Sequence, residues 1–231
     1  MMNIDENEKS LPEKLSDDIV KYILNKQMKP GDRLPNESIL AKEMGAGRSS
    51  VREAMKLLAS RNIVNIKQGS GTYIANSTGV VEDPLGFTFI NDKKKLTWDL
   101  LEIRFLIEPY IAQTAALNAD DEDIKIIEEL CNEVEYMLNK GIDHVEKDIE
   151  FHKAIAKSSK NLVVPRLIPI INSSIPLFVE ITNNILKDET IETHREITQA
   201  IKEHNPVKAN DAMYMHLVYN RRVIQSKNNN H

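Results

Sequence analysis

The chain of 231 residues has one cysteine, Cys131, so no internal disulfide framework can staple it, and it suits a reducing compartment. Cys131 sits in a helical apolar pattern and reads as a small packed residue, not a nucleophile. Proline (9) and glycine (8) are scarce and fall mostly where breaks are wanted, which leaves long stretches free to be regular. No apolar run approaches membrane-spanning length, and the N-terminus is acidic and polar, unlike a secretory signal. A cytoplasmic protein with no membrane partner is therefore expected. The charge is not strongly one-sided either: a net of −5 argues against a protein that coats nucleic acid nonspecifically.

What is present is unevenly placed. Residues 14–67 carry 11 Lys/Arg against 6 Asp/Glu, a net of +5, whereas residues 77–231 carry 18 against 25, a net of −7. A basic head on an acidic body is a DNA-binding arrangement. Within the head, Val51, Ala54, Met55 and Leu58 recur at i, i+3, i+4 and i+7 and predict a helix entered at Gly47. Arg48, Ser49, Arg52 and Lys56 fall on its opposite face, where nothing acidic interrupts them. Such a face suits a helix entering a DNA major groove, where Arg reaches the paired acceptors of guanine or a phosphate. A solvated basic face on an ordinary helix would look the same.

The flanking segments bear on that choice. The spacing predicts a helix over Leu15–Lys26 after a loose polar lead-in of residues 1–13, then a turn at Lys29-Pro30-Gly31-Asp32-Arg33. A second helix starts near Pro35-Asn36-Glu37, capped by Asn36, packs Ile39, Leu40 and Met44, and stops at Gly45. Two short helices around a glycine are the helix-turn-helix pattern. Ile63–Lys67 and Thr72–Ile74 are β-prone runs around the glycine-rich tip Gln68-Gly69-Ser70-Gly71, a hairpin suited to approach a phosphate backbone or the minor groove. Helix, helix-turn-helix and hairpin make a winged helix.

Residues 14–74 resemble the GntR family of bacterial transcriptional regulators. The likeness is carried by Pro30-Gly31-Asp32-Arg33-Leu34-Pro35, Arg48-Ser49-Ser50-Val51-Arg52-Glu53-Ala54 and Gly69-Ser70-Gly71-Thr72-Tyr73 in matching order and spacing. The resemblance implies DNA contacts at Arg33, Arg48, Ser49, Ser50 and Arg52, and at Gly69 of the wing. The chain departs from the family at Ser38, where an Arg usually contacts DNA, at Gly47, where Ser or Thr usually caps the helix, and at Gln68, where a His or a basic residue is common.

The expected organisation is a winged helix-turn-helix domain over residues 1–74, a linker over 75–82, a helical domain over 83–227 and a disordered tail over 228–231. In the third of these, a short helix is predicted over Pro84–Ile90, with Lys93-Lys94-Lys95 a solvated lead-in. Long helices are predicted over Thr97–Asn118, about 120–140, Asp143–Ser158, Leu162–Leu186 (kinked at Pro169 and Pro176), about 188–204, and from Pro206 to about Ser226. The fold class is mainly α: a winged helix-turn-helix with a small β-hairpin, followed by an antiparallel all-α bundle of six long helices and one short one.

Asp148 and His152 share a helix face at i, i+4, and His194 and His216 lie on two later helices among apolar neighbours. Three imidazoles and a carboxylate could converge on a divalent metal inside a bundle, although single histidines are more often packed or surface residues. The segments Asp148-Ile149-Glu150-Phe151-His152, His194-Arg195-Glu196-Ile197 and Met213-Tyr214-Met215-His216-Leu217 resemble the FCD effector domain of the FadR-type branch of the family. That resemblance implies a metal at Asp148, His152, His194 and His216, with zinc foremost and nickel, manganese or iron open. His144, His204 and His231 match nothing and read as surface. Arg104 matches a position where an Arg faces the effector cavity; its plain alternative is an i, i+4 pair with Glu108 on the surface. Asn172, Ser173 and Ser174 are further candidates to line that cavity.

The expectation is therefore a homodimeric regulator, not an enzyme, that binds a short palindromic operator in double-stranded DNA under the control of a small carboxylate effector at the metal site. A metal-ion sensor is the alternative, and a metal-dependent hydrolase or lyase a remote one, disfavoured because no acid/base partner can be assigned.

Overall fold

The computed structural model describes residues 9–76, 79, 83–172, 175–176 and 186–228, and the chain divides into two compact units between Pro84 and Leu85. In the first unit, α1 (Leu11–Asn25) starts a full turn before its apolar face does. Glu13 Oε2 accepts both the backbone N–H and the hydroxyl of Ser10 at 2.7 Å, which fixes the helix start ahead of Leu15, Ile19 and Ile23. α2 (Glu37–Glu43) is capped as expected, Asn36 Oδ1 taking the Ile39 N–H at 3.0 Å. Its buried residues are Leu40 and Ala41, while Ile39 stays 47% exposed. α3 (Arg48–Ser60) buries Val51, Ala54, Met55 and Leu58, the face its periodicity predicts.

β1 (Val64–Lys67) and β2 (Gly71–Ile74) pair antiparallel, with Val64 opposite Ile74 and Lys67 opposite Gly71. The turn before α2 adds a third rung that the sequence did not suggest. Ile74 N donates to Asp32 O (2.9 Å), Leu34 N to Thr72 O (2.8 Å) and Gly31 N to Ile74 O (3.0 Å). The hairpin is thereby tied to the residues that open the helix-turn-helix, and Leu34, Leu40, Leu58, Val64 and Ile74 share one core with α1. Ala75, the first residue of the expected linker, is buried and its N–H donates to Ile63 O.

The second unit is helical among its described residues. The segment expected as a short helix is a single 3-10 turn, Phe87–Phe89. α4 (Lys93–Asn118) starts at the lysines and not at Thr97, because Asp92 accepts the Lys95 N–H at 2.9 Å and caps it. Lys93 Nζ donates to Phe87 O and Thr88 O, so one of the three lysines closes the preceding turn. α5 (Asp121–Lys140) is capped by a reciprocal pair, Asp120 and Asp123, and ends at Gly141. α6 (Val145–Ser158), α7 (Val164–Ile171), α8 (Lys187–Lys202) and α9 (Pro206–Asn228) follow. The predicted helix over 162–186 is seen as α7 and the helical pair Ile175–Pro176; residues 173–174 and 177–185 lie outside the described residues. Asn228, placed in the expected tail, is the last residue of α9.

α4 packs against α9, α8 against α9 and α5, and α6 against α4, α5 and α7. Small side chains permit the close approach of α4 to its neighbours: Ala112, Ala115 and Ala116 meet a core shared with Phe151, Ile155, Ile197, Ile201, Ala209 and Met213. That packing sets the inward faces of α4, α6, α8 and α9 around one centre.

Candidate functional site

In the first unit, α3 presents Arg48, Ser49, Arg52 and Lys56 to solvent, with Ser50 half-buried. The face is not free of acid. Glu37, the first residue of α2, accepts from Arg52 Nη2 at 2.8 Å and from Nε at 3.1 Å, and Lys56 pairs with Glu53 at 2.9 Å. The Arg52 guanidinium holds the Glu37 carboxyl below its ordinary range. Ser38, beside Glu37, is exposed.

At the wing, Gly69 has φ +75° and open space where a Cβ would stand, so the tip needs glycine for its backbone and not for room. Gly71 is different: a Cβ there would lie 2.8 Å from Arg33 Nε. The Arg33 guanidinium lies against the base of the wing, and only a residue without a side chain leaves it that place. Ser70 Oγ and the Tyr73 hydroxyl are 2.8 Å apart, which braces the tip.

In the second unit, α6 supplies Asp148 and His152, α8 His194 and α9 His216, and all four are buried. One ligand atom from each of the three histidines lies within 4.8 Å of the others. Asp148 Oδ1 stands 3.3 Å from His194 Nε2. That approach lacks hydrogen-bond alignment, since both atoms are without a hydrogen-bond partner among the described residues. The His194 ring stacks on Phe151 with centroids 4.3 Å apart.

Two of the imidazoles have their tautomers set from behind. His152 Nδ1 faces Glu108 Oε2 at 3.2 Å, so its Nδ1–H points at the carboxylate and Nε2 is the ring nitrogen left for another partner. That Nε2 is buried with no partner among the described residues. The Thr193 hydroxyl donates to Glu189 O at 2.7 Å, so at 3.0 Å its oxygen accepts from His216 Nδ1. His216 Nε2 is left with a long contact of 3.4 Å to Asn220 Nδ2.

Burial, then the neighbouring His152, keeps the pKa of His194 well below the ordinary histidine range; for His216 the order is burial, His194 and His152. Both are neutral at pH 7. A buried donor or acceptor without a partner costs about 1–3 kcal/mol. Asp148 Oδ1, His152 Nε2 and the two ring nitrogens of His194 all carry that burden here. Imidazole nitrogens gathered within 4.8 Å of one another beside a carboxylate are the kind of donor set a borderline divalent cation takes.

Arg104 does not face a cavity with a free guanidinium, and its pair with Glu108 is not on the surface. Its Nε donates to Glu108 Oε1 at 2.6 Å, with both side chains 3% exposed. Burial alone would raise the Glu108 pKa, but Arg104, then His152, hold it well below the ordinary carboxylate range. The expected ligand-facing arginine thus anchors the carboxylate that orients His152. His144, read as surface, is buried at the start of α6, whereas His204 is exposed, with Nδ1 3.0 Å from Ala116 O. Asn172 is 1% exposed with both side-chain polar atoms unpartnered among the described residues. Ser173 and His231 lie outside the described residues. A cavity of about 740 Å³ opens between α5, α8 and α9, lined by Cys131, Thr198 and Met215 and by none of the four candidate metal ligands.

Residues 11–74 match the family described as bacterial regulatory proteins, gntR family, and residues 99–219 match the FCD domain. The chain belongs to the GntR family and carries an FCD domain. It is 31% identical over 196 residues to the Uxu operon regulator of Haemophilus influenzae, covering 81% of this chain and 71% of the relative. It is 29% identical to the galactonate operon transcriptional repressor of Escherichia coli, over 83% of this chain and 87% of the relative. Among solved structures, Streptococcus agalactiae GntR shares 43% identity and superposes with a TM-score of 0.80, covering 91% of this chain and 99% of that one. As a GntR-family protein the chain is a DNA-binding transcriptional regulator and not an enzyme, and its histidine cluster lies in the FCD domain.

Sequence reasoning missed the roles of Glu37 and Thr193, and it named Glu108 only as a surface partner of Arg104. The burial of that pair was open to notice, since it stands on a face that also carries Leu101 and Ile111. Glu37 and Thr193 act on residues 15 and 23 positions away, and no local spacing announces that.

Proposed function

We propose that this regulator acts as a homodimer on a palindromic operator, and that a small carboxylate bound at a divalent metal in the FCD domain controls its operator affinity. The carrying observation is the set of inward, unpartnered donor atoms on Asp148, His152 and His194, joined by His216. Asp148, His152, His194 and His216 would hold the ion, zinc foremost, and it would supply open positions that a carboxylate can take. Formal charges favour an anion: Asp148, Glu108 and Arg104 sum to −1, and a divalent ion turns that to +1. Asn172 is suited to hydrogen-bond the effector, and a relative named for a galactonate operon makes a hydroxy acid the class to try first.

The dimer reading draws on α4. Ile103, Leu106, Tyr110 and Leu117 form an exposed face at helical spacing, and from Ile103 to Asn118 the only charged residues, Arg104 and Glu108, are buried. A neutral apolar stripe of that length suits contact with a second copy, and two heads would read two half-sites. Arg33, Arg48, Ser49, Ser50, Arg52 and Gly69 would make the DNA contacts. Among the described residues no helix is long and apolar enough to cross a membrane, and a DNA-binding role supports the reading of a cytoplasmic protein.

The ion itself as effector is the second reading, favoured by one observation: Arg104 already gives its Nε–H and one Nη2–H to Glu108, which balances its charge before any acid arrives. Native mass spectrometry followed by operator titration, with metal alone and with metal plus a carboxylate panel, separates the two. A response to metal alone that no acid alters selects the sensor.

A further inference from the structure

Arg52 is the arginine on the exposed face of α3 that another element already grips. Glu37, fifteen residues earlier on α2, takes its Nε–H and one Nη2–H, with distances of 3.1, 3.1 and 2.8 Å. A guanidinium has five N–H donors in a flat fork. Glu37 occupies its side edge, which leaves one Nη1 proton and the second Nη2 proton side by side at the end of the fork. That end is the edge that pairs with O6 and N7 of guanine.

We propose that Glu37 is a positioning residue for operator recognition. It fixes the plane and direction of the Arg52 guanidinium before DNA arrives, so that the end of the fork meets a base edge in one register. The inference rests on the reading of α3 as the DNA-contacting helix. The pair is solvent-exposed, with side chains 55% and 32% accessible, and such pairs contribute little to fold stability. A carboxylate on a DNA-facing surface also repels phosphates. Its cost falls on every DNA sequence, whereas ordering Arg52 helps only where a matching base is present. Glu37 therefore raises discrimination while lowering general affinity.

The test uses the full-length protein and two duplexes: the consensus recovered by in-vitro selection from random DNA with wild-type protein, and a scrambled duplex of equal length. Glu37→Gln should bind the scrambled duplex as tightly as wild type or more tightly, bind the consensus more weakly, and so lose about tenfold in the ratio of the two. Glu37→Ala should do the same, and circular dichroism melts of both should track wild type. In an Arg52→Ala background the Glu37→Gln effect on the ratio should vanish. Equal tightening on both duplexes, or a loss that persists undiminished without Arg52, overturns the proposal. If Arg52→Ala alone leaves the ratio unchanged, the reading of α3 itself fails, and the role of Glu37 fails with it.

Discussion

Glu108 Oε2 lies 3.2 Å from His152 Nδ1, and the other oxygen of the same carboxylate takes Arg104 Nε at 2.6 Å. This buried chain turns a histidine that could present either nitrogen into one that presents Nε2. Partners of this kind behind a metal ligand typically affect metal affinity by about 10- to 100-fold. Glu108→Gln should therefore weaken zinc binding by roughly that factor, read by competition with a chromogenic chelator, while the protein stays folded. Arg104→Ala should act differently, since it strands a buried carboxylate: a loss of about 3–5 kcal/mol in metal-free stability is expected. Arg104→Ala as stable as wild type in urea would contradict the buried pair.

Acid should destabilise the metal-free protein in two stages. The folded pKa values of His194 and His216 lie well below their ordinary value. The unfolded chain therefore takes up protons first as pH falls below about 6.5, and stability is present above that pH and lost beneath it. Glu108 is also held low, so its contribution is lost only below about pH 4.3. Thermal melts between about pH 7.5 and 5 should show Tm falling with pH in wild type and less so in His194→Gln. A Tm flat through pH 6 would mean these rings are not buried as described.

On the DNA side, Arg48→Ala and Arg52→Ala should each cost about 1–3 kcal/mol on the operator and leave the fold intact. Ser38→Arg, which restores a family cation on an exposed position beside Glu37, should tighten binding and steepen its salt dependence. Fluorescence anisotropy at two or more salt concentrations reads both. An unchanged salt slope in Ser38→Arg would place that turn away from the backbone.

The neutral face of α4 gives a prediction independent of metal and DNA. Leu106 is 74% exposed, so Leu106→Glu costs an isolated chain little. At the proposed dimer interface it would bury a charge, so wild type should sediment as a dimer and Leu106→Glu as a monomer. Unchanged sedimentation would move the interface elsewhere.

Periodicity made much of this legible. The buried face of α3 and the Asn36 cap stand where the sequence placed them, because each depends on spacing within one helix, and the motif histidines His152, His194 and His216 lie on helices that the fold brings together. What escaped was pairing across elements. The Glu37–Arg52 grip, the bond from Thr193 to His216 and the strand-like rung from Asp32 to Ile74 join segments whose mutual distance only the fold sets. Arg104 shows the same limit within one helix. Its i, i+4 partner could be named, but whether that pair faced water or the core depended on packing of α6 against α4.

Coupling between the histidine centre and the operator underlies the proposed regulation. Its direct test is titration of the in-vitro-selected duplex with zinc-loaded protein against a panel of hydroxy and keto acids and their neutral amides, repeated on His216→Ala. At least one acid should shift wild-type operator affinity by about tenfold, roughly 1.4 kcal/mol, with the matching amide silent and the shift absent in His216→Ala. An acid that shifts both proteins alike, or a panel in which only neutral compounds act, would contradict a carboxylate effector at this site.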